Sequence, residues 1–391
     1  MDKPATLNEL AGLLASGGPF ELLSGGSRQA FGRPAQVAAR LDLSSFSGIT
    51  LYEPEELVLT AGASTKLDEI KAALAAKNQM LAFEPPDFGL LYGQRENEGS
   101  LAGALMMGVA GPRRLTAGGP RDHLLGFKAA SGRGVIFKAG GRVVKNVTGF
   151  DLSKLICGSM GTLAALAEVT LKVLPAPETQ RTFLLFGLDD SRALDAMSAA
   201  LCLPHEISGS AHLPQAFAKR LGFDKSATLF RLEGPAPSVA ARGESLTRDL
   251  IAHGRMEMLD APSSHALWKR IGDVAPFALP DARPLWRLTL TPSHAAKAVL
   301  AIASKLSCEH LYDWGGGLVT LAVEGETQDA GASIIRPAAE QAGGRAILLR
   351  APEAVRAAVP PLHPEPPPLA QLRSRVKDAF DPRRVLNPGR I

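Results

Sequence analysis

Three glycine-centred segments have residue types and spacing suited to chemistry: Ser24 to Gly32, Gly99 to Gly111, and Gly158 to Leu163. Each lies beside a predicted strand or helix start. Backbone N–H groups next to glycine can close around an anion, because the missing Cβ lets a ligand approach and a helix N-terminus adds partial positive charge. Taken singly, each segment also fits an ordinary turn or hairpin. The first loop, GGSRQAFG, lacks the G-x-G-x-x-G spacing of a dinucleotide fingerprint, and Arg33-Pro34 interrupts the helix that should follow. No G-x-x-x-x-G-K-[ST] occurs either, so the commonest triphosphate-binding loop is excluded.

Other chemistry is thin. The eight histidines are scattered without H-x-x-H, H-E-x-x-H or H-x-D pairing, so no metal site is expected and no residue stands out as a general base. Cys157, Cys202 and Cys308 form no C-x-x-C pair and cannot by themselves hold a zinc ribbon or an iron–sulfur cluster. They are expected to be buried thiols. The cations Arg121, Lys128, Arg133, Lys138, Arg142, Lys145 and Lys154 alternate with apolar residues, as on a solvated hairpin face. Arg113 and Arg114 are set apart because they follow a small-residue helix. Trp268, Trp286 and Trp314 are expected to anchor a core or an interface.

The elements that must position the glycine segments follow from periodicity. Thr6 and Glu9 have capping-box spacing ahead of a helix over Leu7 to Ala15, and Phe20 to Leu23 reads as a strand feeding the first loop. Further strands are expected around Val37 to Leu43 and Leu57 to Ala61. Thr65 and Asp68 suggest a cap for a helix running to about Lys77. Leu101 to Val109 is a helix rich in Ala, Gly and Met, which implies close packing. His123 to Val144 reads as successive hairpins, and Glu168 to Leu174 as a strand ending at Pro175 and Pro177. After a second α+β region, VPPLHPEPPP is an extended connector, followed by a helix over Leu369 to Ala379 and the tail FDPRRVLNPGRI.

A chain of 391 residues calls for two or three packed units. With 46% hydrophobic and 21% charged residues, the composition is that of a folded protein and argues against disorder. A formal charge of +4 is too mild to favour nucleic acid. The N-terminus has no apolar signal region and no run reaches the ~18 apolar residues of a membrane span, so a cytoplasmic location is expected.

Longer stretches carry a resemblance. FEPPDFG at 83 to 89, GPRR at 111 to 114, RDHLLGFKAASGRG at 121 to 134, GGRVVKNVTGFDLSKL at 140 to 155 and GSMGTLAALAEVTLKVLP at 158 to 175 resemble FAD-binding proteins of the vanillyl-alcohol oxidase superfamily. Within it they are most similar to the FAD-binding subunit of bacterial glycolate oxidase. LWKRIGD at 267 to 273, LWRLTL at 285 to 290, DWGGG at 313 to 317 and the tail FDPRRVLNPGR extend the similarity over nearly the whole chain.

The resemblance implies an α+β fold. A two-lobed FAD-binding domain would span 1–177, a second α+β cap domain 178–358, and a connector, helix and tail returning to the FAD domain 359–391. It implies noncovalent FAD, with Gly25, Gly26, Ser27 and Arg28 around the pyrophosphate. Ser100, Gly103, Gly111 and Arg113 would follow from the second segment. Gly158, Ser159, Gly161 and Thr162 would hold the adenylate side, and Asn387 would reach toward the flavin ring. The first loop has neither the histidine nor the cysteine needed for covalent flavin attachment there. Ala102 stands where relatives often have glycine, and Phe150 where tyrosine is common, so no backbone or hydroxyl contact is assigned at those positions. The implied activity is oxidation of a small 2-hydroxy acid, glycolate, in a complex with a catalytic flavin subunit and an iron–sulfur subunit, membrane-associated through that complex. The alternatives are a structural partner without catalysis of its own, and a stand-alone flavin dehydrogenase for another 2-hydroxy acid.

Overall fold

The helix Leu7–Ser16 starts as its sequence suggests. Thr6 Oγ1 accepts the Glu9 N–H, one of the donors that a helix start leaves orphaned, while Glu9 Oε2 takes the N–H of Ala5, one residue before the cap, rather than that of Thr6. Leu10 and Leu14 turn inward and are fully buried. In this computed structural model residues 1–37, 39–143, 149–278, 283–325 and 327–390 are described. The expected hairpin end at Val144 and the cation Lys145 lie outside them.

The chain divides into two units: Met1–Ala110 with Gly118–Ala176 and Pro364–Ile391, and Gly111–Ala117 with Pro177–His363. The main cut falls one residue before the expected one. Gly111–Ala117 groups with the second unit, and the return to the first comes at Pro364 rather than at Val359.

The first unit contains an antiparallel sheet in the order Ile49–Glu53, Val58–Gly62, Ala164–Lys172, Leu124–Ser131, Ile136–Gly140. Every position of Val58–Gly62 is buried, as a central strand requires. Helices Leu67–Ala75 and Leu101–Met107 cover one face through Ile70, Leu74, Leu101 and Leu105. Thr65 does not cap the first of these. Its buried hydroxyl accepts the Gly48 N–H and donates to Gly62 O, and Lys66 takes the cap position without a side-chain bond. The second helix is capped by Ser100 Oγ, which accepts the Gly103 N–H. A separate parallel pair joins Phe20–Leu23 to Ala39–Asp42, and Leu386 of the tail bridges to Phe20.

The second unit is an eight-stranded antiparallel sheet. Its order is Met256–Leu259, Thr179–Phe186, Ala227–Gly234, Gly209–Leu213, Cys308–Asp313, Leu318–Val323, Leu285–Thr289, Arg345–Arg350. Met197, Leu246, Ile302 and Ile335, from four helices, share one core with Phe230, Trp286 and Leu321 of the strands. The last helix of the chain, Pro367–Phe380, begins earlier than expected. Its prolines sit in the first turn, where no backbone N–H is needed. Among the described residues no helix is long and apolar enough to cross a membrane.

Candidate cofactor cleft

Within the first unit, the loop after Phe20–Leu23, the start of helix Leu101–Met107 and the turn before Ala164–Lys172 meet around one cleft. It opens to solvent, and the space free of protein atoms, open solvent included, is about 830 Å³. Gly25, Gly26, Ser27, Arg28, Ser100, Gly103, Gly161 and Asn387 line it. Gly158, Ser159 and Thr162 do not. They bind the third turn to its surroundings: Gly158 N–H donates to Leu105 O, Ser159 Oγ to Met106 Sδ, and Thr162 Oγ1 to Ser159 O. Gly111 and Arg113 fall in the second unit rather than among the cleft residues. There Gly111 O accepts from Trp314 Nε1, and Arg113 clamps the Glu233 carboxylate at 2.7 and 3.0 Å. Such a bidentate ion pair commits the guanidinium to the protein.

Asn387 also differs from expectation. Its amide ties protein to protein, accepting from Leu22 N and donating to Met160 O. Ala102 lines the cleft, whereas Phe150 is 89% exposed. Sequence reading did not find Phe31, Leu43, Met106, Met107, Met160, Leu166 and Arg390, which also line it. Phe31, Met106, Met107 and Met160 lie inside the marked segments and Arg390 three residues past Asn387, whereas Leu43 and Leu166 belong to ordinary apolar patterning.

These residues fit a flavin dinucleotide. Gly26 has φ +76°, and a Cβ there would meet nothing within 4 Å, so the loop bends toward open space that a ligand can fill. At Gly25 a Cβ would lie 2.2 Å from Glu98 O, so only glycine lets the first and second loops come this close. Arg28 is held in place by donation from Nη2 to Pro86 O, and Arg390 Nη2 donates to Arg28 O. Two guanidinium-bearing side chains, three serines and apolar walls suit an anionic pyrophosphate joined to a planar ring system.

The cleft can bind and orient, but it has no side-chain proton acceptor: among the described residues its lining includes no Asp, Glu, His, Lys, Tyr or Cys. Beneath the third turn, burial pushes the Cys157 thiol up to about 11, and its S–H donates to Leu105 O.

The second unit gathers histidines that are distant in sequence. His310 Nε2 and Tyr312 OH both meet Asp190 Oδ2 at 2.8 Å, and His212 Nδ1 meets Thr228 Oγ1 at 2.9 Å. Burial would raise the Asp190 carboxyl, yet contacts with His212, His310 and Tyr312 hold it well below the usual carboxylate range. The tryptophans are anchored as expected of core residues: Trp268 Nε1 donates to Thr182 Oγ1 and Trp286 Nε1 to Ala330 O.

Residues 4–140 match the family described as FAD binding domain. The solved 4-ethylphenol oxidase from Gulosibacter chungangensis shares the fold with a TM-score of 0.74 at 15% identity, over 99% of this chain and 88% of that one. Fold and cleft together define an FAD-binding protein of the vanillyl-alcohol oxidase type. The chain is 33% identical over 387 residues to glycolate oxidase subunit GlcE of Escherichia coli (strain K12), covering 99% of this chain and 96% of that protein. A shorter match, 31% over 134 residues, covers 34% of this chain and 27% of glycolate oxidase subunit GlcD of Bacillus subtilis (strain 168). The chain belongs to the glycolate oxidase FAD-binding subunit family that includes GlcE.

Proposed function

We propose that this chain is the FAD-binding subunit of a complex that oxidises glycolate to glyoxylate, with FAD held noncovalently in the cleft of its first unit. The observation that carries the reading is a near full-length match to a glycolate oxidase subunit, combined with a cleft whose lining suits a flavin dinucleotide. Converting a 2-hydroxy acid to a 2-oxo acid releases two electrons and two protons, and bound FAD supplies the two-electron acceptor. The chain's own residues seat and shield that acceptor. Gly25 to Arg28 would wrap it, Arg28 would place positive charge beside its phosphates, and Met106, Met107 and Leu166 would exclude water, with Arg390 holding the first loop through Arg28 O.

Turnover needs partners. The cleft offers no side chain to take the hydroxyl proton, and Cys157, Cys202 and Cys308 are free and widely spaced in sequence. In this reading a catalytic flavin subunit supplies the acid–base groups and an iron–sulfur subunit carries single electrons away. The complex works in the cytoplasm, associated with the membrane through its other subunits. The first test is flavin content. Purified chain should be yellow and release FAD into the supernatant on denaturation. FAD that stays with the precipitate contradicts noncovalent binding, and a colourless chain that cannot be reconstituted contradicts the flavin role.

A further inference from the structure

The tail after Asp381 reaches two of the three loops through a single side chain. Asn387 Oδ1 accepts the Leu22 N–H at 2.8 Å, and Nδ2 donates to the Met160 carbonyl at 2.9 Å. One amide therefore spans the strand end that leads into the first glycine loop and the turn that forms the third. Asn387 has φ +43° and Met160 φ +55°, so both partners of the second bond have left-handed backbone, which Asn tolerates better than most residues. The fit is close, since a Cβ on Gly161 would lie 2.7 Å from Asn387 Nδ2.

The tail is fixed on either side of Asn387. Asp381 is fully buried, accepts the Val385 and Leu386 N–H groups at 2.9 Å, and pairs with the Lys377 ammonium. Lys377 also donates to Thr162 O, on the third loop. Beyond Asn387, Arg390 Nη1 meets Glu21 Oε1 at 3.2 Å while Nη2 donates to Arg28 O at 3.1 Å, on the first loop. Phe20 N–H donates to Val385 O and Asn387 N–H to Phe20 O, so the tail bridges to the start of the strand Phe20–Leu23.

We infer that residues 377–390 form a clasp in which Asn387 is a positioning residue. It sets the gap between the Leu22 and Met160 segments and thereby the rate at which FAD leaves the cleft. The inference rests on the flavin reading above. A cofactor seated between those segments departs when the gap widens, and widening breaks both Asn387 hydrogen bonds.

The decisive variant is Asn387→Gly, because glycine adopts the positive φ freely and only the two side-chain bonds are lost. Asn387→Asp keeps the acceptor for Leu22 N–H and loses the donor to Met160 O. FAD release is followed by flavin fluorescence at a temperature where all proteins are folded. Backbone amide hydrogen exchange is measured on FAD-free protein. Two hydrogen bonds of ordinary strength correspond to release about tenfold faster or more in Asn387→Gly, and Asn387→Asp, whose carboxylate faces the Met160 carbonyl, should also release FAD faster than wild type. In the FAD-free protein, exchange at Leu22 should quicken in Asn387→Gly while the strand Ala164–Lys172 stays unchanged. Unchanged release and unchanged Leu22 exchange would overturn the clasp. Equal acceleration across Ala164–Lys172 would overturn it too, because the tail would then contribute only general stability. Wild-type protein that fails to take up FAD counts against the flavin reading alone, and the Leu22 exchange still decides the clasp.

Discussion

Gly25 and Gly26 are neighbours with different duties. Gly25 is needed for space, because a Cβ would sit 2.2 Å from the Glu98 carbonyl, whereas Gly26 is needed for its φ of +76° and has open room beside it. Gly26→Ala should therefore weaken FAD binding by up to about 1–2 kcal/mol, the strain of a left-handed alanine, which the loop escapes when no FAD holds it in this conformation. Gly25→Ala forces the two loops apart and should cost more. Fluorescence titration of FAD into the two folded variants checks this, and equal losses would mean that the close approach at Glu98 is unimportant. The glycines and serines of the cleft were legible in the sequence because glycine clusters are rare outside turns. Arg390, Met106 and Leu166 were not, since an arginine in a polar tail or an apolar residue in an amphipathic element carries no local mark of where it points. Asn387 was legible from its place in the tail, but its bonds to Leu22 and Met160 were not, because a side chain close to a cofactor loop can spend hydrogen bonds on the loop itself.

At the scale of elements, periodicity located the main helices and strands of the first unit, often with errors at their ends, while the second unit was read only as a mixed α+β region. Pro367 and Pro368 look like breakers in sequence but suit a helix's first turn, and Thr65 has cap spacing yet is buried where Gly48 and Gly62 claim its hydroxyl. The strand Ile49–Glu53 went unnoticed because it is a half-buried edge without regular alternation. The segment Gly111–Ala117 was placed with the glycine loops, and only a tertiary contact with the strand Ala227–Gly234 reveals its attachment. That contact predicts a pH dependence. Burial raises the Glu233 carboxyl, but the Arg231 charge and the Arg113 hydrogen bonds outweigh it and hold the group down at about 2, from 4.5. A depressed folded value means that the stabilisation is complete above pH 4.5 and is lost as pH falls toward 2. Between pH 5 and pH 3 this amounts to about 2 kcal/mol. All three tryptophans lie in the second unit, so urea unfolding followed by their fluorescence reports on it. Glu233→Gln should remove about 2 kcal/mol of the pH 5 to pH 3 difference. Identical pH slopes in both proteins would show that Glu233 is not the group responsible.

For the whole molecule, the α+β class was legible because the motifs run in order along nearly the whole chain. The gathering of Asp190, His212, His310 and Tyr312 was not, because strand pairing sets His212 beside Tyr312, a hundred positions away, and a helix then brings Asp190 to both. The account makes this chain one member of an assembly: it seats FAD and depends on other subunits for acid–base groups and for an electron outlet. The direct measurement is glycolate turnover, with an artificial dye and with oxygen as acceptors. It is made on FAD-loaded chain alone and on chain co-expressed with a catalytic flavin subunit and an iron–sulfur subunit. The account predicts no steady turnover from the chain alone and recovery of activity in the co-expressed complex. Steady turnover by the isolated chain at the rate of the complex would contradict it and leave a stand-alone enzyme.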